Sequence, residues 1–311
     1  MTALFSIFVF PGLLFIAVSG LAAEYIDRKF CAKLQNRVGP PWFQPVADFI
    51  KLLAKEDIVP QHADKATFTL MPILAMVSII TAFLYIPMWG TQALFSFKGD
   101  VIVVLYLLTV PTLTYFLGGW YSRSVFSMIG AARSVTQMFA YEIPLFVSIL
   151  APAMLADTWS LSGIAEYFSS HPWMALLNLP GFIIAIITLL GKLEKVPFDI
   201  PEAETEIVAG AFTEYSGRLL ALFRMAIDME LVVGASLLAA VFLPFGTHLG
   251  PAAGFAIYLV KVLFVILLVS LFRTVFARLR IDQMIAFCWK YMAPLAFAQL
   301  VADLIIKGAH S

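Results

Sequence analysis

The chain has 311 residues, of which 61% are hydrophobic and only 13% are charged, whereas a soluble globular protein is typically about 45–50% apolar and about 25% charged. This composition excludes an ordinary soluble enzyme and a disordered protein. Lysine plus arginine balances aspartate plus glutamate at 20 each, which excludes a basic nucleic-acid-binding face. Cys31 and Cys288 lack CxxC or Cys/His spacing, so no disulfide framework, zinc site or iron–sulfur cluster is predicted.

Continuous apolar runs dominate the chain. A membrane-spanning helix needs roughly 20 mostly apolar residues, and strands of a transmembrane barrel would alternate in polarity, which these runs do not. The predicted spans are residues 3–23, 67–89, 101–120, 138–156, 176–191, 219–245, 253–273 and 286–306. The fifth is short and the sixth is long. The sequence therefore predicts a single all-α, polytopic membrane domain over residues 1–311 with about eight transmembrane helices.

Loop charge predicts the orientation of these helices. Residues 1–10 carry no lysine or arginine, which favours a retained helix over a cleaved signal peptide. Nearly every basic loop residue follows an odd-numbered span, whereas only Lys98 and Lys307 lie on the other side. The positive-inside rule then places both termini outside and segments 24–66 and 192–218 in the cytoplasm. Both segments interleave proline, glycine and aromatic residues with their charges, which favours docking surfaces over solvated loops.

Several charges fall inside the predicted spans, where each costs about 2.5–3.5 kcal/mol on translocon scales. Arg224 and Asp228 are four residues apart, which predicts an ion pair on one helix face. Glu230 faces another way and needs a partner from a different helix, with Lys261 or a chain of water as candidates. Together with Glu142, the titratable groups Asp228, Glu230 and Lys261 predict a proton relay.

Two charges near the ends of span eight have a simpler interpretation. Lys290 and Asp303 lie close enough to the predicted boundaries for their side chains to reach the membrane surface. We therefore expect little functional contribution from them.

The segment from Gly191 to Gly217 is rich in acid. It contains Glu194, Asp199, Glu202, Glu204, Glu206 and Glu214. Pro201 suits the first position of a helix, where acids in the first turn complement the helix dipole. Glu202 and Glu206 are four residues apart, so they are expected to share a helix face and to raise each other's pKa. Such a pair can share a proton, bind a cation or meet a basic partner. No nucleophilic triad accompanies it, so the chain is not expected to hold a catalytic centre of its own.

Three long motifs carry a family resemblance. They are Glu194-Lys-Val-Pro-Phe-Asp-Ile-Pro-Glu-Ala-Glu-Thr-Glu-Ile-Val-Ala-Gly with Thr213-Glu-Tyr-Ser-Gly217, Asp27-Arg-Lys-Phe-Cys-Ala-Lys-Leu-Gln-Asn-Arg-Val-Gly-Pro-Pro41, and Phe272-Arg-Thr-Val-Phe-Ala-Arg-Leu-Arg-Ile-Asp282. The chain resembles the eight-helix membrane subunit that forms the quinone chamber at the heel of respiratory complex I. Related subunits occur in membrane-bound group 4 [NiFe] hydrogenases, formate hydrogenlyase and sulfane sulfur reductase.

One departure from the complex I pattern bears on the type of complex. The complex I subunits carry a longer stretch before Leu-Gln-Pro, whereas residues 39–45 read Gly-Pro-Pro-Trp-Phe-Gln-Pro. This short form resembles the hydrogenase side of the family. We therefore expect a [NiFe] hydrogenase-type complex, with a quinone- or methanophenazine-reducing complex or the sulfane sulfur reductase equivalent as alternatives.

The resemblance implies a role for each segment. Segments 24–66 and 192–218 would dock the hydrophilic iron–sulfur and catalytic subunits on the cytoplasmic side of the plasma membrane, with Arg37, Asp48 and Asp199 shaping that surface. The carboxylates Glu202, Glu204, Glu206 and Glu214 would couple redox chemistry to proton or sodium movement through antiporter-like membrane subunits. The NiFe centre and iron–sulfur clusters are expected in partner subunits, and no cofactor or metal is expected on this chain. Lipid is expected to contact it.

Two other classes of protein fit the sequence less well than a complex I-like membrane subunit. A stand-alone secondary transporter would often show repeated halves or broken helices, and no internal repeat is evident. A purely structural anchor would account for the docking segments, but it would leave Glu142 and Glu230 in the bilayer without a purpose.

Overall fold

The architecture is a bundle of helices. The computed structural model describes residues 2–246 and 250–310, and it does not describe the side chains of residues 2, 3, 204, 205, 309 and 310. The described helices are α1 (Thr2–Phe8), α2 (Leu13–Leu34), α3 (Gln44–Leu53), α4 (Lys65–Leu84), α5 (Asp100–Tyr121), α6 (Val125–Leu155), α7 (Leu161–Ser170), α8 (Met174–Leu177), α9 (Leu179–Lys192), α10 (Glu204–Ile207), α11 (Gly217–Phe242), α12 (Pro251–Val275), α13 (Ile281–Phe287) and α14 (Ala293–His310). A 3₁₀ turn covers Gly210–Phe212, and a π-helical turn covers Cys288–Met292.

The all-helical, polytopic prediction is confirmed. No strand occurs in the described residues, and seven helical segments in them are long and apolar enough to cross a membrane. They are Leu4–Leu34, Lys65–Leu84, Asp100–Tyr121, Val125–Leu155, Gly217–Phe242, Pro251–Val275 and Ile281–Gly308. The placement of both termini outside stays a prediction.

The fifth predicted span corresponds to a shorter helix. α9 has 14 residues, about 21 Å at 1.5 Å per residue, which is less than the roughly 30 Å of a hydrocarbon core. A break at Asn178 separates α9 from α8. At the other end Glu194 takes a left-handed φ of 50°, which the helix cannot continue.

The first predicted span ends too early. α2 continues to Leu34 rather than stopping near residue 23, so residues 24–34 of the predicted docking segment are helical. Glu24 and Asp27 on this extension are buried, and both form ion pairs with residues from other elements. These ion pairs let the helix remain in the bundle past its last apolar run.

α11 lies at the centre of the bundle. It packs against α2, α3, α4, α9 and α12, and most of its apolar side chains are buried. The other side of the bundle is built from α5, α6, α9 and α14. α3 is amphipathic, with Pro45 buried while Val46, Ile50 and Leu53 are exposed. This arrangement leaves the ends of α2, α11 and α12 close together on the side where segment 192–218 lies.

Segment 192–218 folds back onto the helices through small residues. A Cβ on Gly130 of α6 would lie 2.4 Å from the Ala211 amide nitrogen, and a Cβ on Gly119 of α5 would lie 3.0 Å from the Cβ atoms of Ala131 and Ala211. Ser127 Oγ donates a 2.8 Å hydrogen bond to the Ala211 carbonyl. The close approach of backbones fixes the acidic segment against α5 and α6.

We expect Gly130→Ala to lower the stability of the chain by about 1–3 kcal/mol, the usual cost of forcing an extra group into a packed site. The measurement is the thermal unfolding midpoint of the purified membrane protein. Gly250→Ala is the control, because a Cβ there meets no described residue within 4 Å. Equal midpoints for the two variants would contradict the packing role of Gly130.

Candidate functional site

A charged chamber of about 670 Å³ opens between α2, α3, α11 and residues 193–202. Its volume is that of a small-molecule site, yet charged groups make up much of its lining. Eleven of them face it: Glu24, Asp48, Glu194, Asp199, Glu202, Asp228, Arg28, Lys195, Arg224, Arg273 and Arg278. Six of these groups are acidic and five are basic, so their charges nearly cancel when all of them are ionised.

Asp27 anchors one wall of the chamber. Its carboxylate is fully buried and accepts from Lys195 Nζ at 2.7 Å, Arg273 Nη1 at 2.6 Å and Ser270 Oγ at 2.7 Å. Glu24, one turn earlier on α2, accepts from Arg28 Nε at 2.6 Å and Lys195 Nζ at 3.1 Å. These contacts tie α2, α12 and the segment after α9 into one network.

The segment after α9 places two ionisable groups of opposite character side by side. Burial alone lowers the pKa of Lys195, but the carboxylates of Asp27 and Glu24 outweigh it and raise that pKa above its ordinary value. Glu194 is also buried, and its Oε1 atom has no hydrogen-bond partner among the described residues. Burial, together with the nearby charge of Glu202, raises the pKa of Glu194 to about 8. Glu194 therefore holds a proton near neutral pH, whereas Lys195 stays charged.

A second polar cluster lies inside the helices next to the chamber. Lys192 Nζ and Glu230 Oε1 are 3.0 Å apart, and both side chains are almost completely buried. Lys192 also donates to the Leu108 carbonyl, and Tyr115 donates to Glu230 Oε2 at 3.5 Å. Lys192 is the charged group that acts on Glu142, which is half-buried. The predicted intramembrane carboxylate Glu230 thus pairs with a lysine whose charge also acts on Glu142.

This cluster corrects the predicted partner of Glu230. Lys261 does not face it, but lines a small cleft beside Ala239, Leu243 and Tyr258. The partner is Lys192, which the sequence placed in a cytoplasmic loop. The prediction failed because α9 extends through residue 192, which puts this ammonium inside the bundle rather than in solvent.

The predicted pair of Arg224 with Asp228 is wrong. Arg224 Nη1 lies 2.9 Å from Glu202 Oε1, which comes from the acidic segment that folds over the start of α11. Asp228 lines the chamber, where the charges of Glu24, Lys195, Arg28 and Arg224 act on it, and it forms no ion pair among the described residues. Contacts across the chamber therefore replace the predicted contact along one helix.

The predicted repulsion between Glu202 and Glu206 is also wrong. Residues 201–202 form a turn and α10 begins only at residue 204, so Pro201 is not a first helical residue and the two carboxylates share no helix face. Glu206 accepts from Arg133 Nη1 at 2.7 Å. That hydrogen bond and the charge of Arg133 lower the pKa of Glu206 instead of raising it. Glu202 and Glu206 therefore pair with different arginines, Arg224 and Arg133.

The remaining predicted residues are more scattered. Asp48 lies 3.3 Å from Arg28 Nη1, and Asp199 Oδ1 lies 3.1 Å from Arg278 Nε, so both help to form the chamber wall. Arg37 lines an adjoining groove. Glu214 is half-buried and outside the chamber lining. The side chain of Glu204 lies outside the described residues, so its predicted role stays a prediction.

Sequence reasoning missed several of the groups that build the site. They are Glu24, Asp27, Lys192, Glu194, Lys195 and Arg273. A usable signal existed on α2, since Glu24, Asp27, Arg28 and Cys31 recur at helical spacing directly after an apolar run. For Lys192 and Lys195 no local signal existed, because their partners are about 40 and 170 positions away in sequence.

The pKa of Glu194 predicts a pH dependence of stability. A glutamate in the unfolded chain loses its proton near its ordinary value of 4.5, whereas folded Glu194 keeps its proton until about pH 8. Stability should therefore fall as pH rises between these values, because the unfolded state releases the proton first. Glu194→Gln should remove that part of the slope in the unfolding midpoint measured against pH, and the exposed control Glu166→Gln should not. Identical slopes in parent and Glu194→Gln would refute the assignment.

Comparisons with known proteins agree with this geometry. A model of the family described as NADH dehydrogenase matches residues 6–304. The H subunit of the NADH-quinone oxidoreductase of Carboxydothermus hydrogenoformans is 36% identical over 299 residues, covering 93% of this chain and 85% of the relative. NADH-quinone oxidoreductase subunit 8 of Thermus thermophilus is 33% identical, covering 90% of this chain and 80% of the relative.

A solved structure is similar over nearly the whole bundle. It is a chain of the membrane-bound sulfane sulfur reductase, an archaeal respiratory membrane complex, with a TM-score of 0.84 and 28% identity over 93% of this chain and 96% of that one. The chain therefore belongs to the NADH dehydrogenase family, among the membrane subunits similar to the H subunit of NADH-quinone oxidoreductase.

Proposed function

We propose that this chain is the membrane-anchor and coupling subunit of a complex I-like oxidoreductase. It docks the iron–sulfur and catalytic subunits at the chamber face and links their redox chemistry to proton or sodium movement. The observation that carries the proposal is the buried pair of Lys192 and Glu230 inside the helices, whose lysine charge also acts on Glu142. A merely structural anchor gains nothing from such a pair, because apolar packing of similar volume is often as stable or more so.

The connection from chamber to helices runs through the end of α9. Lys192 ends this helix, and Glu194 and Lys195 follow it within three residues, so the membrane pair and the chamber wall share one short stretch of backbone. The charge of Glu230 also acts on Glu194. A change of charge in the chamber therefore alters the balance between Lys192 and Glu230.

The type of complex rests on the short segment at residues 39–45. We propose a [NiFe] hydrogenase-type complex, with the NiFe centre and iron–sulfur clusters in partner subunits and antiporter-like membrane subunits alongside. The similarity to a chain of the sulfane sulfur reductase complex supports the sulfane sulfur reductase equivalent as the alternative to this type. The docking face is then cytoplasmic, the termini lie outside, and the plasma membrane is the site of assembly.

A second candidate is a quinone-reducing complex. The chamber of about 670 Å³ favours it, since this volume lies within the usual range for sites that bury a small organic ligand. The relatives from Carboxydothermus hydrogenoformans and Thermus thermophilus are also named as subunits of NADH-quinone oxidoreductases. The identity of the large catalytic subunit separates the two candidates.

Gentle purification of this chain from its native membrane, with mass spectrometry of the copurifying proteins, is the test of type. We expect a large subunit that retains all four metal-binding cysteines of a [NiFe] site. A large subunit without some of these cysteines would remove the hydrogenase proposal in favour of the alternatives. Purification as a monomer would contradict the subunit role itself.

The coupling role is tested by neutralising the buried pair as a unit. The double variant Lys192→Met/Glu230→Gln avoids the about 3–5 kcal/mol cost of leaving one buried charge unpaired. We expect the complex to assemble with its full set of subunits, while ion movement per electron transferred falls close to background. The measurement is ion uptake into sealed vesicles alongside redox turnover.

Glu142→Gln is expected to reduce the same ratio, because Glu142 shares Lys192 with Glu230. Glu166→Gln is the matched control, since this glutamate is exposed on α7. Unchanged ion movement per electron in the assembled double variant and in Glu142→Gln would leave only the anchor role.

A further inference from the structure

A buried carboxylate lies at the end of α9 opposite Lys192. Asp303 of α14 is fully buried rather than reaching the membrane surface, which corrects the expectation from its sequence position. Gln299 Nε2 donates to Asp303 Oδ1 at 3.0 Å and to the Leu177 carbonyl at 3.0 Å, and it lies 3.4 Å from Asn178 Oδ1. Asn178, at the start of α9, is also almost completely buried.

The hydrogen bonding of this polar cluster is incomplete. Asp303 Oδ2 and Asn178 Nδ2 are buried and have no hydrogen-bond partner among the described residues. Leaving such groups unsatisfied costs about 1–3 kcal/mol each, and more for a charged group. A proton bound at the carboxyl removes the charged part of that cost, because the buried group is then neutral.

No cation in the described residues pairs with Asp303. The nearby Lys307 on the same helix is 2.6 Å from Asp157 Oδ1 instead. The charged groups on the elements packed against α14 are Arg133 and Glu142 on α6, Lys192 at the far end of α9, and Lys290 in the π-helical turn. None of them forms an ion pair with Asp303, and an isolated ionised carboxylate in such surroundings usually neutralises instead.

The chemistry of the unpartnered atoms discriminates between two small cations. Sodium needs several free oxygen ligands, whereas one of the two unpartnered atoms is the Asn178 amide nitrogen, a donor that a cation repels. Asp303 Oδ1 and the Leu177 carbonyl already accept from Gln299. A proton on Asp303 instead removes the buried charge without requiring any further oxygen ligands.

We propose that Asp303 is a proton-binding site, separate from the carboxylates of the chamber. The apolar cluster of Val147, Ile184, Met292 and Ala296 is built from the helices that also surround Asp303, so this site and the Lys192 pair lie at opposite ends of α9 with apolar packing beside that helix. The site stands independently of the coupling role proposed for Glu230.

The test is the infrared band of the protonated carboxyl C=O stretch, recorded on the assembled complex in its membrane. We expect the parent to show one such band at mildly acidic pH and Asp303→Asn to lose it. Asp157→Asn should keep it, because that carboxylate lies at the same end of the bundle but is largely exposed. The variant Lys192→Met/Glu230→Gln should also keep the band. The test of Asp303 therefore does not depend on whether the coupling proposal holds.

Two outcomes overturn the assignment. A spectrum of Asp303→Asn identical to the parent means that Asp303 is ionised, and a band lost on adding sodium chloride but not potassium chloride means a sodium site. If the complex with Asp303→Asn does not assemble, the variant Gln299→Met tests whether Asp303 carries the proton. Removing one hydrogen bond to the carboxyl should shift the frequency of the band, and an unshifted band in Gln299→Met would show that the proton is elsewhere.

Discussion

The arrangement of the chamber depends on one buried carboxylate, Asp27. A fully buried charge is tolerated only when it is paired and hydrogen-bonded, and Asp27 meets this requirement with groups from α12 and from the segment after α9. Its partners are thereby fixed relative to α2. Lys195 is drawn inward, so Glu194 is buried beside it, and the acidic segment follows across the start of α11. The chamber is the space that remains between these elements.

The same physical rule explains the interior pair of Lys192 and Glu230. Each group is stable there only because the other is present. Changing the charge of one partner therefore carries a large penalty, and the penalty is reduced when a neighbouring group changes charge at the same time. Glu142 and Glu194 are the neighbours on which Lys192 and Glu230 act. The proposed coupling role relies on these electrostatic influences between neighbouring groups.

The sequence predicted the fold class and the presence of charged residues inside the helices better than it predicted the ion-pair partners of those residues. Long apolar runs predict helices directly, and the cost of a charge in lipid singles out Glu142 and Glu230 as candidates for the proposed role. Partner assignment failed for Arg224, Glu206 and Glu230, because local spacing favours contacts along one helix whereas the observed contacts join distant elements. Asp303 was misjudged for a related reason: proximity to the end of a span does not reveal that neighbouring helices cover the side chain.

The shortness of α9 has an electrical consequence. Moving one elementary charge across a membrane potential of 100 mV requires about 2.3 kcal/mol, whatever the length of the path. Along α9 the helical barrier is only about 21 Å, so a voltage that falls along this helix falls over a shorter distance than in the surrounding lipid. The local field is then steeper beside this helix than elsewhere in the bundle. A charge that moves a given distance along α9 therefore crosses a larger share of the voltage than one that moves the same distance along a longer helix.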